Sequence, residues 1–365
     1  MNFLPKKQNI ILFIMSLLFL TTLPNNLFSR PSEAGVIFLN INPGARPTGM
    51  GDAFVAIADD ATATYWNPAG LGFQEGKEFS LMHSEWLPGF GFGDMYYDFI
   101  AYKHEIDGLG TVGGNVIYFY LGEMTRTDPS GNVEGTFRTW ETAITLSYGT
   151  DLSEDLAVGI NTKFIYSHLS DKGAGQEKGS GIGYSVAADI GLLYISDYDI
   201  DFGVTVSNIG PKISYIDYEQ ADPLPTNLKA GFAYYLFYDD INSLVVTGDM
   251  NKLLVRRGKD LDGDGNIEGS EEWNHTDPIY QAIFTSWTDD DGIEDIVWGT
   301  GAEYWYDRMV GLRVGFWKDE MGKINAMTYG GSLRYDSYIF DFSYLDAGEG
   351  HPLSDTMRFS LNIGL

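Results

Sequence analysis

The twelve residues "LAVGINTKFIYS", 156–167, alternate with a two-residue period. Leu156, Val158, Ile160, Thr162, Phe164 and Tyr166 share one face. Ala157, Gly159, Asn161, Lys163, Ile165 and Ser167 share the other. Successive side chains of a strand point to opposite faces, so this segment reads as a strand with one greasy face and one small or polar face. "GYSVAADIGLLY" (183–194) repeats the pattern, with Tyr184, Val186, Ala188, Ile190, Leu192 and Tyr194 on the greasier side. The chain ends the same way: Met357, Phe359, Leu361, Ile363 and Leu365 stand against Arg358, Ser360, Asn362 and Gly364.

A soluble sandwich produces the same alternation, and connection lengths separate the two. Fourteen candidate strands begin near Phe79, Tyr96, Leu109, Trp140, Leu156, Ile182, Ile200, Thr226, Ser243, Val297, Met309, Ala326, Tyr338 and Thr356. Short connections follow the even strands: "HEIDG", "DLSED", "SDYD", "YDDIN", "YDR" and "DS". The connections after the odd strands are mostly long: residues 85–95, 121–139, 168–181, 209–225, 255–296, 318–325 and 345–355. Short turns on one side and long loops on the other are the mark of an outer-membrane barrel with its turns in the periplasm. The expected fold is all-β: a transmembrane 14-stranded antiparallel outer-membrane β-barrel over residues 77–365. In lipid every backbone polar group must be paired, which a closed sheet achieves. Aromatic strand ends ("IYFY", "AYY", "YWY") fit the headgroup girdles. Lys163, Asp189, Lys229, Asp249, Glu303, Arg313, Arg334, Asp341 and Arg358 would then point inward. They are mixed in sign and read as a pairing network along the lumen wall. No compact run of inward apolar residues is visible.

The remaining composition agrees. Residues 1–29 read as a signal peptide: Lys6 and Lys7, the apolar run "NIILFIMSLLFLTTL", the helix-breaking "LPNN", and "LFS" ending at Ser29. There is no cysteine, which excludes disulfides and a lipidated cysteine. Formal net charge is −28, near −30 once the leader's two lysines are removed. Such an acidic chain is no partner for nucleic acid, and its excess charge belongs in solvated loops.

A barrel of fourteen strands is too wide for its own side chains to fill. Residues 30–76 precede the first strand and are too few for an independent domain. Within them lies "GDAFVAIADDATATYWNPAGL", 51–71, rich in Gly and Ala. Asp59 and Asp60 can cap a short helix through "ATATYW", Pro68 ends it, and Asn67 can brace the turn through its amide. The segment is expected to form an N-terminal plug in the lumen, with Asn67, Pro68, Ala69 and Gly70 as its motif.

The residues "NPGARPTGMGDAFVAIADDATATYWNPAGL" (42–71) resemble the N-terminus of the PorV/PorQ proteins, which belong to the FadL-like outer-membrane barrels. "VSNIGPKISY" (206–215), "PLPTNLKAGFAY" (223–234), "TGDMNKLLV" (247–255), "GAEYWY" (301–306) and "HPLSDTMRFSLNIGL" (351–365) continue the resemblance. It implies an outer-membrane component of the type IX secretion system. Such a component receives cargo with a C-terminal β-domain signal from the translocon and passes it to a surface attachment complex. The implied partners are therefore these secreted proteins, the translocon and attachment-complex components, and outer-membrane lipid. The alternative is a FadL-like channel for small hydrophobic molecules.

One motif lies outside the resemblance. "DLDGDGNIEGSE", 260–271, matches the calcium-loop spacing. Asp260, Asp262 and Asp264 stand at positions 1, 3 and 5, and Gly265 provides the bend. Asn266 offers its carbonyl, Glu268 binds through water, and Glu271 closes the site with two oxygens. A structural Ca2+ is expected in this connection. "DDDGIED" (289–295) lacks the spacing and reads as a solvated cluster. Catalysis has no motif to rest on. The five histidines are scattered, "GSGIG" (179–183) opens a strand, and no nucleophile elbow or zinc-protease helix occurs.

Overall fold

Fourteen antiparallel strands close on themselves in a computed structural model of the chain. They are β1 (Lys77–Glu85), β2 (Tyr96–Ile106), β3 (Gly110–Thr127), β4 (Val133–Ser153), β5 (Leu156–His168), β6 (Ile182–Ile195) and β7 (Ile200–Ile209). Then follow β8 (Asn227–Tyr238), β9 (Asn242–Leu253), β10 (Ile296–Tyr306), β11 (Val310–Asp319), β12 (Ile324–Tyr335), β13 (Tyr338–Asp346) and β14 (Thr356–Gly364). The structure describes residues 34–91, 93–128, 130–171, 180–216, 221–256, 276–288 and 295–365. β1 pairs with β14 from Glu78↔Gly364 to Ser84↔Arg358, which seals the sheet and leaves no edge along its length.

The alternation read from the sequence is the in/out pattern of the wall. Ile160, Phe164, Tyr184, Val186 and Ile190 are exposed, while Ala157, Asn161, Ile165, Ser167 and Asp189 are buried. Grease outside and polar groups inside invert a soluble core, and the outer surface demands lipid. On β2 to β5 the outer aromatics form a continuous row. Tyr96 and Tyr120 are 5.3 Å apart, Tyr118 and Trp140 5.8 Å, Trp140 and Tyr166 5.1 Å. This is a girdle at the headgroup level.

Strand starts match the expected positions within two residues, except that β4 begins seven residues early, at Val133. Residues 121–139, read as a loop, are instead a hairpin extension of β3 and β4. Its ladder continues past a bulge between Tyr120 and Glu123. The Glu123–Arg138 ion pair (3.7 Å) and the Arg126 guanidinium on the Phe137 ring (5.2 Å) tie the extension together. Polar residues obscured its period.

The connection after β7 also differs from expectation. It does not project outward as a loop. It dips into the barrel, where Ile213 and Leu224 are fully buried. Ser185 Oγ donates to the Pro211 carbonyl, Tyr215 OH donates to Ser167 Oγ, and Gly35 N donates to the Pro223 carbonyl. The segments "VSNIGPKISY" and "PLPTNLKAG" thus frame an inward-folded loop that clasps the start of the luminal chain.

Candidate functional site

Residues 34–76 lie against the inward positions of the wall. The short helix Ala63–Trp66 stops one residue before Asn67, as Pro68 requires. Its start differs from expectation. Asp60 Oδ1 accepts from Thr62 N (2.9 Å) and braces the turn, but Asp59 caps nothing: it pairs with Arg46 at 2.5 Å. Asn67 does more than brace its own turn. Its Oδ1 accepts from Ala69 N (3.1 Å), and its Nδ2 donates to the carbonyls of Val55 (2.9 Å) and Leu192 of β6 (3.1 Å). Asn67, Pro68, Ala69 and Gly70 are all buried.

Inward glycines make room for this backbone. Gly149 and Gly159 face each other across β4 and β5, and Gly159 faces Gly191 across β5 and β6. Gly301 faces Gly315 across β10 and β11. A Cβ on Gly159 would collide with the Pro68 carbonyl, and one on Gly315 with the amide of Gly51. Glycine is the residue that permits such an approach. The sequence reading noted glycine's abundance but missed this belt, because the belt exists only in cross-strand register.

The inward charges form the pairing network that their mixed signs suggested. Arg46 of the luminal segment is its hub. Its Nη2 and Nε reach the two oxygens of Glu303 at 2.8 and 2.9 Å, and its Nη1 meets Asp59 and Asp60. Arg313 Nε meets Glu303 at 2.5 Å and its Nη1 meets Asp341 at 3.2 Å. Lys163 lies 3.3 Å from Asp189 and donates to Asn208 Oδ1 at 2.6 Å. Asp249 Oδ2 accepts from the amides of Phe54 and Val55 at 2.7 and 2.8 Å. Lys229 donates to Asn42 Oδ1 and lies over the Tyr65 and Trp66 rings. Arg358 donates to the Asn42 carbonyl and to Thr48 Oγ1. Buried charges persist only when paired in this way. Arg334 stacks on Trp305 at 5.2 Å, and its Nε has no acceptor among the described residues.

The two ends of the lumen differ. At the periplasmic end a cavity of about 210 Å³ is lined by Arg46, Asp59, Glu303, Trp305, Arg334 and Asp341, among others. Toward the long-loop end the inward wall is apolar, contrary to the sequence reading. Met82, Phe99, Ile117, Ala143 and Ile165 come from five different strands and meet only after closure. Val36, Phe38 and Leu39 of the luminal segment, with Ile213 and Leu224 of the inward loop, pack into this surface. The chain itself fills this greasy chamber.

The expected calcium ligands Asp260, Asp262, Asp264, Asn266, Glu268 and Glu271 lie outside the described residues, as does the expected signal peptide, residues 1–29.

A closed fourteen-stranded barrel, greasy outside and threaded within by its own N-terminal segment, defines an outer-membrane β-barrel. Solved structures share the fold. The Pseudomonas putida toluene transporter TodX has a TM-score of 0.55 at 10% identity, covering 89% of this chain and 99% of that one. The Ralstonia pickettii toluene transporter TbuX has 0.52 at 16% identity, with 88% and 96% covered. The CymD monoaromatic hydrocarbon channel has 0.52 at 13%, with 89% and 98% covered. No curated protein matches the chain. The profile of the family described as type IX secretion system protein PorV matches residues 28–260, well over half of the sequence. The chain belongs to the PorV family and is an outer-membrane component of type IX secretion. The match ends where the acidic loop of residues 260–271 begins.

Proposed function

We propose that this protein is a docking station of type IX secretion and not a conduit. It receives cargo bearing a C-terminal β-domain from the translocon and delivers it to a surface attachment complex. The observation that supports this reading is the filled lumen. Residues 34–76 and the inward loop occupy the bore through buried ion pairs and apolar packing. A path for a polypeptide would have to dismantle them. In this reading the N-terminal segment is a permanent plug that keeps the outer membrane tight. The long-loop face does the binding, through exposed backbone and loop surfaces that an extended partner segment can engage. Residues 1–29 are removed on export. Ca2+ held by residues 260–271 orders the longest loop by binding only its folded form.

The second reading is a channel for small hydrophobic molecules. The toluene transporters of the same fold favour it, as does the apolar chamber behind Val36, Phe38 and Leu39. Deleting the gene separates the two. The secretion reading expects tagged C-terminal β-domain cargo to accumulate in the periplasm. Normal surface cargo with lost uptake of a monoaromatic hydrocarbon would overturn it in favour of the channel.

A further inference from the structure

Two outward residues of the barrel are buried, and the reason lies in the longest connection. In β9, Asp249 faces inward, since it binds luminal amides. The register with β10 runs unbroken from Gly299↔Asp249 to Ile296↔Lys252, which places Lys252 and Ile296 on the outer face. Their outward neighbour Trp298 is 50% exposed, as a lipid-facing residue should be, yet Lys252 is 0% and Ile296 7% exposed. Among the described residues, Trp287, in the turn after the helix Ile279–Thr285, and Asp295 lie against Lys252. The Trp287 ring lies 5.8 Å from Lys252 Nζ, and Asp295 neutralises that ammonium at 3.1 Å. Trp287 and Asp295 thus lie against the outer side of the wall.

The depth of this contact follows from strand length. β10 has 11 residues from Ile296 to Tyr306, about what one crossing of the hydrocarbon needs. Ile296 therefore stands at the boundary of the outer leaflet. Ala282 and Ser286, on one side of this turn of chain, are buried. Its other side shows Tyr280, Ile283 and Phe284, at i, i+3 and i+4, all exposed, Phe284 at 73%, and the Trp287 ring in the turn beyond stays 37% exposed beside Lys252. Residues 279–288 carry no charged side chain, in a chain of net charge −28.

We propose that residues 279–287 form a membrane-interface anchor, with Tyr280, Ile283, Phe284 and Trp287 seated among the headgroups and upper acyl chains of the outer leaflet. The surface is continuous with the lipid-facing wall at Trp298, and Trp and Tyr with aliphatic neighbours are the residues that settle at this depth. A water-facing helix in so acidic a chain would carry charge on that side. The anchor fixes the membrane-proximal part of the longest connection, between the acidic stretches 260–271 and 289–295 of the sequence.

The absence of native cysteine makes the test direct. Phe284→Cys and Gln281→Cys each place one spin label in the full-length protein, refolded into phosphatidylcholine vesicles. Heat-modifiable migration confirms the barrel. The label at 284 should collide with oxygen in preference to a water-soluble nickel chelate, with a ratio several-fold above that at 281, which lies about 60° around the helix from 284, on the side away from Tyr280 and Ile283. Equal nickel access at both positions would place the helix in water and overturn the proposal. Protection of 284 from both reagents would also overturn it, by showing a protein, such as a second copy, on that face. Ile283→Cys reads the same face should Phe284→Cys not fold.

Discussion

Replacing Arg46 with methionine should loosen the luminal segment while leaving the barrel closed. Arg46 is the only residue of that segment that reaches Glu303, by two hydrogen bonds of 2.8 and 2.9 Å. Glu303 is 3% exposed and would keep only Arg313. Asp59, half exposed, would be released to water at little cost, while Asp60 keeps its bond to Thr62. Removing one partner of a buried pair costs about 3–5 kcal/mol when the remaining charge is stranded. Since Arg313 stays, the lower end applies, about 3 kcal/mol, or roughly a hundredfold in an opening equilibrium. Methionine retains the aliphatic contact with the Phe54 ring, over which the guanidinium now lies at 5.1 Å. Native-state hydrogen exchange in detergent micelles is the assay. Amides of residues 54–67 should exchange about a hundredfold faster, and strand amides such as those of β5 should not change. Adding Glu303→Gln to Arg46→Met should restore part of the protection, because the stranded charge is gone. Unchanged exchange in the single variant, or a double variant as loose as the sum of its parts, would refute the claim that this pair holds the segment.

Gly159→Val puts a branched side chain where the Pro68 carbonyl now sits. Heat-modifiable barrel formation should survive while protease cuts appear within residues 54–76; a protected segment would mean that the close approach is dispensable. Calcium should bind the full chain with a dissociation constant of about 10⁻⁴–10⁻³ M. Isothermal titration should lose that heat in Glu271→Gln, and an unaltered isotherm in that variant would remove residues 260–271 as the site. The turn between β8 and β9 should be pH-sensitive. The backbone amides of Asn242 and Ile241 hold the exposed Asp239 carboxyl below the usual carboxylate range. Its contribution is therefore complete above the ordinary aspartate pKa and fades as pH falls through the lowered value. Carbon-detected titration of Asp239 should show that lowered midpoint; a midpoint at or above that of a free aspartate would contradict the bonded turn.

Sequence alone determined the barrel, and the reason is local. A strand that divides lipid from lumen must alternate along its own length, so Leu156 to Ser167 reveal their two faces without any neighbour. The turn-and-loop asymmetry is equally local, and it separated a membrane barrel from a soluble sandwich. The end of the short helix before Asn67 was legible because proline acts on its nearest neighbours, while its start was not, since Asp59 pairs with Arg46 and caps nothing. Tertiary structure alone decided what fills the bore. The glycine belt joins Gly149, Gly159 and Gly191 across three strands, the apolar chamber joins Met82 to Ile165 across five, and Arg46 meets Glu303 from 257 positions away. The inward course of residues 210–216 and 221–226 and the outward placement of Trp287 belong to the same class. Each depends on cross-strand register and on which side of the wall a connection finds a surface to bury, and neither quantity is encoded in the period of a single strand.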